Sequence, residues 1–330
     1  FTRFDDPAFV SAGEEVFLKP DGGSIALFST TRLVYASLNY DLNRTFYEYV
    51  FEEDGQGKPL RFGDIVRLTK NYTGTSNNKR NFSLFGDPAL QMPIGRYRIR
   101  TDSIVTNNSR IADTINALDK ITVHGKVLNE QGTQLEDFNG IVNIKLFDKS
   151  ESKTTLSNDG GDAFTYSSRN NLLFSGDSKV TGGTFNSEFI VTKDVLPKTD
   201  RGKLLYFGKD GKTLAQDYYR DFYIGGFAER KLNDSQGPDI EIYMNDKDFV
   251  SGGITNEDPV LYARLADSSG VNVSGAGIGH NLVMMLDNDP RQKRVLNKYY
   301  NAEKNSYRRG EVRYKMSGLE KGKHELMLKA

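Results

Sequence analysis

Two hydrophobic periods divide the chain near residue 95. Before it, apolar residues fall in a helix-and-strand order. The run "GSIALF" at 23–28, placed after the turn "KPDGG", has the length and flanks of a strand buried on both faces, and so of a central strand. Asp41 then caps a predicted helix in which Leu42, Phe46, Tyr49 and Val50 stand at i, i+4, i+7 and i+8, one apolar stripe. "GDIVRLTKNYTG" predicts a second short helix. "NFSLFGDPAL" predicts a strand broken at Gly86-Asp87-Pro88, because Pro88 has no amide hydrogen for a ladder bond. One or two strands with three helices make an incomplete piece of an α/β layer fold, since they cannot cover both faces of a sheet.

From Arg96 the period becomes two. Ile121, Val123 and Val127 alternate with Thr122, His124 and Lys126, and Val142, Ile144 and Leu146 alternate with Asn143 and Lys145, the pattern of half-buried strands. Glycine-bearing turns ("SNDGGDAFTY", "SGDSKVTGGTF", "GKDGKTL") separate further strand candidates, so residues 96–235 read as a β-sandwich. The polar stretch "AERKLNDSQGP" at 228–238 is a domain linker by composition. Beyond it Ile240, Ile242 and Met244 alternate with Glu241 and Tyr243, and Val312, Tyr314 and Met316 with Arg313 and Lys315, a smaller sandwich over 236–330. The expected class is mainly β: an α/β segment at 1–95, then two β-sandwich domains.

Composition narrows the partners. Lys plus Arg and Asp plus Glu each number 44, so no one-signed surface exists to release counterions from a nucleic acid. No apolar run reaches the length of a membrane-spanning helix. Cysteine is absent, which removes disulfides, thiolate metal sites and any cysteine nucleophile from these residues. The three histidines, His124, His280 and His324, are too scattered for a metal cluster. His124 and His324 fall within alternating strands as surface residues. His280 follows "GAGIG", but a nucleotide fingerprint needs a strand before it and a helix after it, so those glycines read as a turn. "DNDP" at 287–290 lacks the spacing of a calcium loop and reads as a hairpin turn. The Asn-X-Ser/Thr triplets at Asn43, Asn71, Asn81, Asn107, Asn233 and Asn272 are acceptors only after eukaryotic secretion. No Ser, His and Asp arrangement stands out. The residues themselves call for no metal, no cofactor and no catalytic machinery.

Longer strings carry a resemblance. "FTRFDDP", "AGEEVFLKPDGGSIALFSTTRLVYASLNYDLNRTFYEYVF" and "SLFGDPALQMP" resemble the C-terminal part of a gingipain-type cysteine peptidase domain. The stretches from "GPDIEIYMNDKDF" to "LDNDP" and from "VLNKYYNAEK" to "KHELMLKA" are similar to the cell-surface sortase of the type IX secretion system within that family. The resemblance implies a caspase-like α/β domain followed by immunoglobulin-like β-sandwiches. It places the nucleophilic Cys immediately N-terminal of Phe1 and the catalytic His on an earlier strand, so no catalytic role transfers to any residue here. Both ends of the chain then read as cuts in a longer protein.

In an open α/β sheet, ligands sit beyond the carboxyl ends of the strands. Phe1, Arg3, Asp5 and Asp6 are then the loop just past the nucleophile, while Ser29, Thr30, Thr31 and Arg32 follow the next strand. These eight residues are the candidate cleft lining. Arg32 is placed to pair with a substrate carboxylate or phosphate. Local salt bridges of Arg32 and Arg3 with Asp5 or Asp6 are the competing use.

The resemblance further implies an exported protein associated with the bacterial outer membrane at the cell surface. Its parent removes the C-terminal sorting signal of secreted cargo and joins the new terminus to anionic lipopolysaccharide, while this fragment alone is inactive scaffold and docking surface. Expected partners are cargo proteins with C-terminal sorting domains, attachment-complex proteins of the outer membrane, and the anionic lipopolysaccharide. The alternative is a stand-alone surface adhesin or glycan-binding sandwich, with exposed Tyr stacking on sugars.

Overall fold

The computed structural model describes residues 6, 8–19, 22–106, 111–158, 160–227, 236–274 and 281–330. The chain forms two compact units, Phe1–Ile94 and Gly95–Ala330.

The first unit runs α1 (Ala12–Leu18), β1 (Leu27–Thr30), α2 (Ala36–Tyr49), α3 (Phe62–Tyr72) and β2 (Phe82–Phe85). The start of α1 is set locally: the backbone N–H and the hydroxyl of Ser11 both donate to Glu14 Oε2, at 2.9 and 2.7 Å. These bonds hold the Glu14 carboxyl below its ordinary range. The start of α2 is not local. It begins at Ala36, ahead of the expected cap, and Asp41 lies inside the helix. A distant residue holds the chain just before it: Asn78 Oδ1 accepts the Tyr35 N–H at 2.9 Å while its amide donates to Asn39 Oδ1 at 3.0 Å.

The predicted stripe of α2 faces inward, with Leu42 and Val50 buried and Phe46 and Tyr49 half-buried. Phe46 stacks on Phe28 of β1, ring centroids 5.9 Å apart. Ile65 and Val66 of α3 complete the buried apolar set among the described residues of this unit. β1 pairs antiparallel with β2, from Leu27 opposite Phe85 to Thr30 opposite Phe82. All four β1 residues are half-buried, which corrects the expectation of a strand buried on both faces. The reason is that, among the described residues, β1 belongs to a two-stranded ribbon. β2 ends where predicted, as Gly86 takes φ 120° into Asp87-Pro88.

The second unit opens with β3 (Arg98–Thr106), β4 (Thr114–Ala117), β5 (Lys120–Leu128) and β6 (Gly140–Phe147). A hairpin of β7 (Glu151–Thr154) and β8 (Thr165–Ser168) precedes β9 (Leu172–Val180), β10 (Thr184–Ile190), β11 (Asp200–Arg201), β12 (Lys203–Lys209), β13 (Leu214–Tyr219) and β14 (Tyr223–Phe227). Then come β15 (Asp239–Met244), β16 (Val260–Ala266), β17 (Val283–Leu286), β18 (Arg294–Val295), β19 (Tyr300–Ala302), β20 (Arg309–Lys315) and β21 (Leu326–Lys329). The mainly β class expected from the alternating pattern is the class observed.

An eight-stranded sheet, β13-β12-β6-β9-β19-β20-β16-β15, forms the backbone of this unit. The three-stranded sheet β10-β5-β3 lies against its first half, where Phe174 of β9 stacks on Phe189 of β10 with centroids 3.9 Å apart. The alternation is realised as predicted on the central strands. Ile121, Val123, Val127, Val142, Ile144, Leu146 and Val312 are buried, and their polar neighbours on β5 and β6 are half-exposed. On the edge strand β15, Ile242 remains 37% exposed because no further strand covers it.

The eight strands are two four-stranded halves joined by one parallel bridge, Gly176 to Ala302. A side chain at Gly176 would place its Cβ 2.9 Å from Ala302 Cβ and 2.6 Å from the Phe174 ring, so only glycine lets the halves approach. Side chains reinforce the seam: Asn301 Oδ1 accepts from Asn143 Nδ2 at 3.0 Å and from the Ser175 hydroxyl at 2.9 Å. Asn305 N–H donates to the Asp177 carbonyl at 2.8 Å. Strands from 96–235 and from 236–330 therefore share one sheet, and buried apolar residues run continuously from one stretch to the other.

Candidate functional site

The sequence points to the carboxyl end of β1, and the first unit builds that end from backbone bonds. Ser29 stands opposite Ser83 within the ribbon, so Ser29 and Thr30 belong to the strand itself. The Thr30 hydroxyl takes the Arg32 N–H at 3.2 Å and donates to the Arg32 carbonyl, closing a tight local turn. Thr31 directs its N–H and its hydroxyl onto the Asn81 carbonyl, at 2.7 and 3.0 Å. Asn81 Nδ2 in turn donates to the Leu33 carbonyl at 3.3 Å. The two threonine hydroxyls are thus spent on the main chain. They shape the turn and leave Arg32 as the side chain it presents.

Arg32 is exposed, and no ion pair among the described residues engages it. It is followed by Leu33 and Tyr35, 77% and 76% exposed. A guanidinium beside exposed apolar side chains suits bidentate recognition of a carboxylate or phosphate. Asp6 occupies a turn of its own, accepting the Ala8 N–H at 3.1 Å through Oδ1 and the Phe9 N–H at 3.1 Å through its carbonyl. Phe1, Arg3 and Asp5 lie outside the described residues.

A second depression in this unit, about 210 Å³, is lined by Asp41, Thr73–Ser76, Asn78 and Lys79. Lys79 donates there to the Thr73 and Gly74 carbonyls, at 2.7 and 2.6 Å, which ties down the C-terminal end of α3 and gives the lysine a structural task.

Elsewhere the motifs resolve into structure. In "DNDP", Asp287 and Asn288 both take φ 52° and Asp289 N–H donates to the Leu286 carbonyl at 3.0 Å, a type I′ turn as expected. Its carboxylates are engaged: Asp289 by Arg291 at 2.8 Å, Asp287 by the Glu325 N–H and His324 Nδ1, both at 2.8 Å. His124 bonds Asn186 across β5 and β10 at 2.6 Å, an ordinary surface pair. His324 corrects its expectation. It lies in the loop before β21, not within a strand, because backbone pairing with β17 begins only at Leu326, and both its ring nitrogens are committed, Nε2 to the Glu320 carbonyl and Nδ1 to Asp287. These two acceptors raise the His324 pKa above the ordinary imidazole value, the Glu320 carbonyl contributing most.

"GAGIG", His280, Asn107, Asn233 and residues 228–235 of the expected linker fall outside the described residues. Among the described residues no group of three or more His, Asp or Glu side chains is placed to hold a metal ion. No helix among them is long and apolar enough to cross a membrane.

Sequence reading missed one polar cluster. Asp148 and Lys149, in "FDKS", look like a surface turn after β6, yet they are 0% and 3% exposed. No local signal separates such a pair from an ordinary loop, since its burial depends on residues far along the chain.

Comparison with known proteins places this geometry. Residues 1–93, all but the last residue of the first unit, match the model of Peptidase family C25, and the β-rich unit follows them. Among solved structures the chain is similar to dimeric latent PorU from Porphyromonas gingivalis, at 25% identity and a TM-score of 0.44, over 93% of this chain and 30% of that one. This chain therefore spans less than a third of the length of that protein. It is also similar to the sporulation control protein Spo0M from Bacillus subtilis, at 11% identity and a TM-score of 0.26, over 67% of this chain and 91% of that one. None of the curated protein sequences compared matches it.

Proposed function

We propose that this chain is the C-terminal portion of a cell-surface cysteine peptidase of the sortase type. The whole protein removes the C-terminal sorting signal from type IX secretion cargo and transfers the new carboxyl terminus to anionic lipopolysaccharide. One observation carries the reading: the C25 match occupies residues 1–93 of a chain that contains no cysteine. The peptidase neighbourhood is present without the thiol that attacks the scissile carbonyl.

In this reading the turn after β1 is a wall of the substrate cleft. Arg32 supplies the positive charge to a carboxylate or phosphate of the cargo or acceptor, and Thr30 and Thr31 hold the turn that presents it. Ser29 and Asp6 belong to the same wall. The β-rich unit presents the peptidase to cargo and to outer-membrane partners, at the cell surface after export. Its neutral overall charge leaves recognition to specific contacts rather than to a long-range field.

Turnover measurements test the proposal. Assayed with fluorogenic peptides, this chain shows no thiol-dependent hydrolysis, because its residues offer no thiolate; measurable turnover sensitive to iodoacetamide would overturn the reading.

A further inference from the structure

Where β6 leaves the sheet for the β7–β8 hairpin and β9 returns, three polar side chains are sealed inside the second unit. Asp148 is 0%, Lys149 3% and Asn171 7% exposed. One carboxylate holds the other two. Lys149 Nζ donates to Asp148 Oδ1 at 2.9 Å, and Asn171 Nδ2 donates to Asp148 Oδ2 at 3.1 Å. On the opposite side of the amide, the fully buried Ser274 hydroxyl donates to Asn171 Oδ1 at 2.9 Å. The carboxylate is itself fixed, by the Lys149 N–H on Oδ1 and the Leu196 N–H on Oδ2, both at 2.8 Å. An amine, an amide, an acid touching both, and a donor on the amide oxygen are the components of an acyl transfer.

We propose that Lys149 and Asn171 join through an intramolecular isopeptide bond. Asp148 Oδ1 removes a proton from the ammonium, and Nζ attacks Cγ of Asn171. The Ser274 hydroxyl holds the negative charge that develops on Oδ1 of the amide. The bond from Cγ to Nδ2 then breaks, and Asp148 returns protons through Oδ2 to the departing nitrogen. One C–N bond forms and one breaks; two protons pass from Nζ to Nδ2, and ammonium leaves with no change of oxidation state.

Three features favour the step. The partners are held in one dry pocket, which replaces the entropy of encounter. The step removes the buried ammonium, and the Asp148 carboxylate left behind keeps the Lys149 and Leu196 N–H donors that hold it. Asn171 is anchored on a second side by the hydrogen bond its Nδ2 donates to the Asp194 carbonyl at 3.0 Å, so its carbonyl carbon faces a fixed direction. The bond would close the base of the hairpin excursion in a chain that has no cysteine for a disulfide. It is independent of the peptidase reading, since every residue involved lies in the second unit.

Intact mass spectrometry of the purified folded chain, run in denaturant, decides the matter. The expected mass is lower than the sequence mass by one ammonia, and a tryptic digest gives a branched peptide linking the Lys149 and Asn171 segments. Chain held in denaturant from lysis onward keeps the full mass, as do the Lys149→Met, Asn171→Ala and Asp148→Ala variants. Full mass in the folded wild-type chain overturns the proposal. Loss of water instead of ammonia would place the bond on an acid and overturn the assignment to Asn171.

Discussion

The seam of the eight-stranded sheet offers the sharpest test of how the second unit is built. In Gly176→Ala the new Cβ lies 2.9 Å from Ala302 Cβ and 2.6 Å from Phe174 Cζ. Neither neighbour yields easily: Ala302 sits on the backbone of β19, and the Phe174 ring is stacked on Phe189 at 3.9 Å. Overpacking of this kind costs about 1–3 kcal/mol. Replacing glycine also narrows the unfolded ensemble and returns about 0.4–1 kcal/mol. The net expectation is destabilisation of up to about 2.6 kcal/mol, carried by the unfolding transition of the second unit. Ala302→Gly removes the opposing methyl, so the double variant should show a coupling of about 0.5–3 kcal/mol in the compensating direction. Urea unfolding followed by far-UV circular dichroism measures all four proteins; the chain has no Trp, and tyrosine fluorescence gives the second probe. Strict additivity of Gly176→Ala with Ala302→Gly would show that the halves do not meet at this bridge.

Three further outcomes follow from particular contacts. Titration of His324 by NMR should give a pKa above that of a free imidazole, and Asp287→Asn should lower it. Its stabilising contribution is full below the unfolded value of about 6.5 and is lost as pH rises through the raised folded value. A midpoint at or below the free value refutes the two-acceptor geometry. Asn78→Ala removes the acceptor of the Tyr35 N–H and the Asn39 contact at the start of α2 and should cost the first unit about 0.5–1.5 kcal/mol per hydrogen bond, seen as loss of helical ellipticity at lower urea. Under the proposed sortase function, Arg32→Ala in the whole protein should reduce cargo processing and attachment; unchanged processing would remove Arg32 from the proposed cleft wall.

Legibility in the sequence followed the range of the forces involved. β5, β6 and the buried positions of β20 were readable because a half-buried strand imposes its period on adjacent residues. The break after β2 was readable because Gly86 and Pro88 act on their own backbone. The start of α2 was not: Asp41 had the chemistry of a cap but lies inside the helix, and the residue before the helix is held by Asn78 from another part of the chain. "GSIALF" announced apolarity correctly and central placement wrongly, since neighbours of a strand are set by partners that its own residues do not encode. Asp148 and Lys149 show the same limit in the opposite direction, as charged residues drawn inside by Asn171, Leu196 and Ile224.

The candidate site inherits this division. Topology proposed Thr30, Thr31 and Arg32 as cleft lining, and the structure gives the threonines a task that topology did not specify, holding the turn through the Asn81 carbonyl and the Arg32 backbone. Two independent lines set the limit of the unit that carries them: the C25 match ends at residue 93, and the compact unit ends at Ile94. Its buried apolar set among the described residues is four side chains, Leu42, Val50, Ile65 and Val66, while Tyr35, Tyr40, Tyr47, Phe51 and Tyr72 are exposed. The second unit has a continuous core of its own and polar groups stitched across its seam. Buried apolar packing therefore resides mainly in the β-rich unit, and the residues of the proposed cleft wall in the smaller one. A substitution at Arg32 should alter processing while leaving the main unfolding transition in place, whereas Gly176→Ala should move that transition and leave the turn after β1 intact.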